Sequence, residues 1–120
     1  MFTIHNIEYQ GKYDPNIIHD LLGLTDADRG ILEYDGAVNY RKGAVVTCDR
    51  LTTVSPSYAE EIMFPFYGRG LEIIIKENKY KLSGILNGID INQFNPYRDP
   101  LIKAKYSRKN PDKKIMNKEA

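Results

Sequence analysis

Three short runs of β-forming residues, FTIH at 2–5, LTTV at 51–54 and LSGIL at 82–86, are separated by long stretches with helical periodicity. Strands that far apart cannot be joined by tight hairpins. A strand, a helical crossover and a further strand make a parallel pair, and such connections are right-handed. The expected fold class is therefore α/β: a partial Rossmann-like parallel sheet with flanking helices. Three strands, one of them at the very first residues, form a small sheet with little to cover both faces, so the chain reads as a fragment of something larger.

Helix starts are marked by caps. Asp14, Ser55 and Asp99 each precede a proline, an arrangement in which the cap oxygen accepts from a first-turn amide while proline supplies a helical φ and has no N–H to leave unpaired. Helices are expected after all three. In NIIHDLLGL the residues Ile17, Ile18, Leu21 and Leu22 fall on one face, and the helix should stop near Gly23. From Ala37 a second helix is expected, with Tyr40, Ala44 and Cys48 inward, Arg41 and Lys42 turned away, and Gly43 and Ala44 allowing close approach to a sheet. Tyr58, Ala59, Ile62 and Met63 make the next apolar stripe. Leu71, Ile74 and Ile75 predict a further turn or two of helix, although EIIIKE is rich enough in β-branched residues to imitate a strand.

At 120 residues and 42% hydrophobic content the chain is the size of one globular domain. No apolar run approaches the ~20 residues needed to cross a bilayer, and no signal-peptide pattern opens the sequence, which predicts a cytoplasmic protein without a membrane partner. Cys48 is the single cysteine, and His5 and His19 lie far from it, so neither a disulfide nor a zinc-type metal site is expected. The net charge of +1 hides a basic tail: Leu101–Ala120 carries seven Lys or Arg against two acids. After Tyr106 that tail has no aromatic to stack a base, so a solvated helix or linker is favoured over a nucleic-acid partner.

In open parallel sheets ligands bind outside the carboxyl ends of the strands. Those positions hold His5-Asn6 after the first run, Ser55-Pro56 after the second and Asn87-Gly88-Ile89-Asp90 after the third. Asn offers donor and acceptor together, and His can donate from one ring nitrogen while held by the other, which suits a hydroxyl-rich ligand such as a sugar. A strand-end histidine can equally be structural, and Asn-Gly can be simply a turn. Phosphate-loop, dinucleotide-fingerprint and nucleophile-elbow motifs are absent, and GRGLE at 68–72 reads as loop punctuation. Tyr9, Tyr13, Tyr34, Tyr58, Tyr67 and Tyr80 could stack on sugar rings or simply sit at the surface.

The segments FTIHNIEYQG (2–11), LEYDGAVNYRKGAVVTCDRLTTVSPSYAEEI (32–62) and GRGLEIIIKENKYKLSGILNGIDINQFNPYRDPLI (68–102) resemble, in order and spacing, the later part of the N-terminal domain of bacterial glycogen synthases and plant starch synthases. The resemblance runs from about residue 2 to about 108. It implies a fragment of a two-domain GT-B glycosyltransferase that moves glucose from ADP-glucose to the non-reducing end of an α-1,4-glucan with retention. No cofactor is implied, because ADP-glucose is a substrate. On this reading residues 1–98 are the end of the N-terminal catalytic domain and residues 99–120 a basic helix or linker toward a second domain.

The same resemblance makes His5 the catalytic histidine that lies against the donor glucose. It makes Asn6, Gln10 and Asn87 substrate-binding, Asn87 being the asparagine of the LNG-x-D loop. Asp90 should cap the turn that follows, with Phe94, usually tryptophan in the family, anchoring it. Glu8, where a small or apolar residue is usual, and Tyr40, where phenylalanine is usual, depart from the pattern without an expected contact to the site. The family's Lys-x-Gly-Gly-Leu loop and the arginine, lysine and glutamate of its second domain find no match in this chain, which implies that the chain alone is inactive and prone to self-association. A different reading of the same residues is a non-catalytic carbohydrate-binding or assembly module.

Overall fold

The computed structural model describes residues 1–118 and divides into two compact units, Met1–Asn87 and a second beginning at Gly88. The division read from the sequence, at residue 98, falls inside the second unit. Unit 1 holds the expected parallel sheet. Strand β1 (Phe2–Ile4) pairs in parallel with β5 (Leu51–Thr53), which pairs in parallel with β6 (Leu82–Gly84), in the order β1-β5-β6.

The register aligns Phe2, Leu51 and Leu82 across the sheet, then Thr3, Thr52 and Ser83, then Ile4, Thr53 and Gly84. Because side chains alternate between faces along a strand, the first and third rows point one way and the threonine row the other. Ile4 and Leu51 face a core with Ile7, Val45, Ile62, Leu71, Ile74 and Ile75. Complete burial of one such side chain contributes about 2 kcal/mol. On the opposite face, the Thr3 and Thr52 hydroxyls are 2.8 Å apart and hydrogen-bonded.

Helices α3 (Tyr40–Thr47), α4 (Pro56–Glu61) and α6 (Glu72–Glu77) supply the core's other wall. The Ser55-Pro56 start forms as expected, with Ser55 Oγ accepting from the Tyr58 amide at 2.9 Å. EIIIKE is helical, as its periodicity predicted. Gly84 is required where β6 meets the start of α4, since a Cβ there would lie 2.2 Å from the Ser55 carbonyl oxygen. A short helix, α5 (Pro65–Gly68), precedes the turn into α6, and a 3-10 turn (Lys79–Lys81) leads into β6. The Lys81 ammonium donates to the carbonyls of Val46 and Cys48, pairing acceptors at the end of α3.

Several expectations are corrected. Ala37 begins no helix. Ala37–Asn39 is strand β4, flanked in a second, antiparallel sheet by β2 (Lys12–Tyr13) and β3 (Glu33–Tyr34) in the order β2-β4-β3. The hairpin between β3 and β4 turns at Asp35-Gly36, both with positive φ (53° and 73°), the signature of a tight primed turn. Asn39 then caps α3, its side-chain oxygen accepting from the Lys42 amide at 3.0 Å.

The buried face of α3 is Lys42, Gly43 and Val45, not Tyr40, Ala44 and Cys48. Lys42 is buried because its ammonium donates to the Gly30 carbonyl, and burial lowers its pKa. Gly43 sits against Leu32 of α2 (Asp26–Leu32) rather than against a sheet. Helix α1 is a single turn, Ile17–Asp20, that buries Ile18 and leaves Leu21 exposed, while Asp14 accepts from the Asn16 amide at 2.8 Å.

In the second unit no helix begins at Pro100. Asp99 instead closes a turn by accepting from the Leu101 amide at 2.8 Å. None of the described residues in this unit is buried, and a short helix without a packed face is marginal in water. One helical turn, α7 (Lys113–Met116), occurs further on. Asp90 caps its turn as expected, accepting from the amides of Asn92 at 2.9 Å and Gln93 at 3.0 Å, and the Gln93 and Asn92 bonds hold its carboxyl below the ordinary range. The Phe94 ring is 69% exposed, not packed as an anchor, while its amide closes the turn by donating to the Asp90 carbonyl at 2.9 Å.

Candidate active site

The alternation along β1 decides which residues meet. Ile4 points into the core, so His5, the next residue, continues the Thr3 side of the sheet. On β5 the same side carries Thr52 and Val54. Beyond β6, the Ile85 amide donates to the Thr53 carbonyl at 2.8 Å and extends the ladder, so that Ile85 and then Asn87 fall on this side too. His5, Thr3, Thr52, Val54, Ile85 and Asn87 accordingly line one cavity of about 200 Å³. Thr53 ties its floor together, its hydroxyl donating to the Ile4 carbonyl at 2.7 Å.

His5 and Asn87, distant in sequence, are both exposed at this rim. An imidazole and a carboxamide beside two threonines present hydrogen-bond donors and acceptors, a composition suited to a hydroxyl-rich ligand. Ser55, the strand-end residue of β5, has its oxygen occupied as the α4 cap.

Asn6 takes the opposite phase and does not join His5. It lines a separate cavity of about 240 Å³ with Ile7, Glu8, Tyr58, Phe66, Tyr67 and Arg69. Asn6 Oδ1 accepts from the Glu8 amide at 2.9 Å, and the Tyr58 hydroxyl accepts from the Ile7 amide at 3.1 Å. Glu8, which the sequence placed away from any site, therefore borders the same hollow as Asn6.

Gln10 is buried, with both ends of its amide engaged inside the chain. Its Nε2 donates to the Arg69 carbonyl at 2.9 Å and its Oε1 accepts from Asn39 at 2.8 Å. These two bonds use one of its two N–H donors and one of its two oxygen lone pairs, and Gln10 also lines a hollow with Phe2, Tyr9, Gly11, Tyr40, Arg41 and Ala44. Arg69 is a residue that the sequence reading did not single out. The available signal was a long cationic side chain between two glycines in GRGLE, at a turn that takes φ 53°.

A family described as "Starch synthase catalytic domain" matches residues 1–77. The chain belongs to the starch synthase catalytic domain family. Its relatives include a "Glycogen synthase" of Desulforamulus reducens, 48% identical over all of this chain and 25% of that protein, and one of Streptococcus equi subsp. equi, 45% identical over all of this chain and 26% of that protein. Among solved structures, the catalytic domain of starch synthase IV from Arabidopsis thaliana, bound to ADP and acarbose, is 36% identical with a TM-score of 0.73, covering 98% of this chain and 25% of that one.

The chain thus spans about a quarter of the length of the relatives it matches. The fold is that of part of a GT-B glycosyltransferase catalytic domain, as the resemblance implied. Among the described residues, no helix of this starch synthase family member is long and apolar enough to cross a membrane.

Proposed function

We propose that this chain forms the wall of the donor-sugar pocket in a glycogen synthase, an enzyme that transfers glucose from ADP-glucose to the non-reducing end of an α-1,4-glucan. The observation that carries this reading is that His5 and Asn87, just past two parallel strands, border one hydroxyl-bearing cavity on the threonine face of the sheet. The similarity to proteins named glycogen synthase, and to a starch synthase bound to ADP and acarbose, supports the same substrates.

In this reading His5 is the catalytic residue, hydrogen-bonding the donor glucose as positive charge develops at its anomeric carbon, an interaction worth most where it strengthens in the transition state. Asn87 holds a hydroxyl of the same glucose, Asn6 faces the acceptor side, and Gln10 acts through Arg69. The sugar nucleotide is a substrate, no cofactor or metal takes part, and the setting is the cytoplasm, without a nucleic-acid partner. Departing-diphosphate stabilisation is usually a large term in such transfer. No group in this chain is assigned to it, so the chain by itself binds sugar without turnover.

Calorimetric titration with ADP-glucose and with maltotetraose tests the reading. His5→Ala and Asn87→Ala should each weaken ADP-glucose binding about tenfold, the equivalent of ~1.4 kcal/mol. Unchanged affinity in both variants would refute the pocket. Glucan-stimulated release of ADP by the chain alone would refute its inactivity, and glucan binding without any ADP-glucose binding would favour a carbohydrate-binding module.

A further inference from the structure

The cavity beside Asn6 contains a combination that neither packing nor the His5 pocket explains. Arg69 is one of two non-glycine residues with positive φ among the described residues, and it sits between Gly68 and Gly70. Holding a non-glycine side chain in that region costs about 1 kcal/mol or more, and glycine would remove the cost. The conformation is fixed from below by buried Gln10, which donates to the Arg69 carbonyl at 2.9 Å. A long side chain retained at a position that favours glycine indicates a use for the side chain itself.

The guanidinium Nη2 of Arg69 lies 3.8 Å from Glu8 Oε2, and both side chains are more than half exposed, a loose pair whose hydrogen-bonding capacity is largely unspent. Around the pair, Phe66 is 77% exposed and meets Tyr67 edge-to-face with ring centroids 5.0 Å apart. Asn6 and Tyr58 complete the lining.

The chemistry narrows the occupant. The carboxylate and guanidinium offset one another, so the hollow attracts neither a phosphate nor a cation strongly. Together they offer acceptors and forked donors for adjacent hydroxyls, next to an aromatic ring with a free face. A neutral ring with hydroxyls on its edges and C–H bonds on its faces fits both. We propose that Glu8, Arg69 and Phe66 form a pyranose subsite, separate from the His5 and Asn87 cavity, that takes a glucose unit of an α-glucan. The proposal rests on the glucan-handling reading above and deepens its acceptor side: Asn6 and Arg69 already belong to that reading, and the direct sugar contact is now assigned to Glu8, Arg69 and Phe66 in the same hollow.

Amide-resolved NMR titration of the chain with maltotetraose distinguishes the two. Shifts at Glu8, Phe66 and Arg69 that saturate with added sugar are expected. Arg69→Gly, which suits the same backbone conformation, and Phe66→Ala should each weaken that saturation at least fivefold, and Glu8→Ala should do the same. Shifts confined to His5, Asn87 and their neighbours would overturn the subsite and leave the proposed function standing. No shifts at either place would likewise overturn the subsite, while the donor pocket stands or falls on the ADP-glucose titration above. Saturation at Glu8 and Arg69 with an affinity unaltered in the Arg69→Gly and Phe66→Ala variants would also overturn the subsite.

Discussion

Gln10 shows how a single buried amide can serve three segments at once. Its oxygen receives Asn39, whose own oxygen caps α3, and its nitrogen secures the carbonyl of Arg69 in the turn between α5 and α6. Replacing it by leucine would keep the bulk and remove both partners, leaving an Asn39 N–H and the Arg69 carbonyl without their bonds. Such orphaned groups cost the desolvation that the bond had offset, so Gln10→Leu should lower unfolding stability by about 2 kcal/mol in urea denaturation. Sugar binding at the Asn6 cavity should weaken as well, because Arg69 loses its anchor. A variant with unaltered stability would show that the amide is dispensable.

At the scale of elements, the contact between β6 and α4 tolerates no side chain at Gly84. An added methyl would meet the backbone of Ser55 and Pro56 rather than a yielding side-chain tip. Overpacking against backbone forces strand and helix apart, and Gly84→Ala should cost about 3 kcal/mol by thermal or chemical denaturation, with Asn87 displaced from the His5 rim. A crystal or solution structure of the variant with that rim unmoved would contradict the argument. The parallel strands, the Ser55 cap and the EIIIKE helix were legible in the sequence because each rests on a local signal: β-branched runs, a cap oxygen ahead of proline, a periodicity.

The second sheet was not read, although Asp35-Gly36 between apolar neighbours is a hairpin signal, because helical spacing from Tyr40 onward was extended backwards over Ala37 and Val38. The Asp99-Pro100 start failed for a different reason. A cap can begin a helix, but without an apolar face to bury, nothing sustains one. At the site, strand direction brings His5 and Asn87 to one edge of the sheet and alternation puts them on the same face, whereas the separation of Asn6 and the burial of Gln10 depend on alternation and on partners far along the chain.

For the molecule as a whole, the distribution of apolar burial sets what is self-sufficient. Every fully buried apolar side chain among the described residues lies in unit 1, at or before Ile75. The same unit leaves β1 and β6 as outer strands of the parallel sheet, with Ile85 58% exposed beside the threonine row. Unpaired strand edges next to exposed apolar surface promote pairing between copies. Sedimentation of the chain at rising concentration should therefore show dimers or larger species, and Ile85→Lys should shift them toward monomer. A monomer at all concentrations would refute this. Adjacency along β1 has one last consequence, a matter of parity. His5 and Asn6 are covalent neighbours that serve separate hollows, so loss or gain of one residue before them would trade odd for even and send each side chain to the other's address.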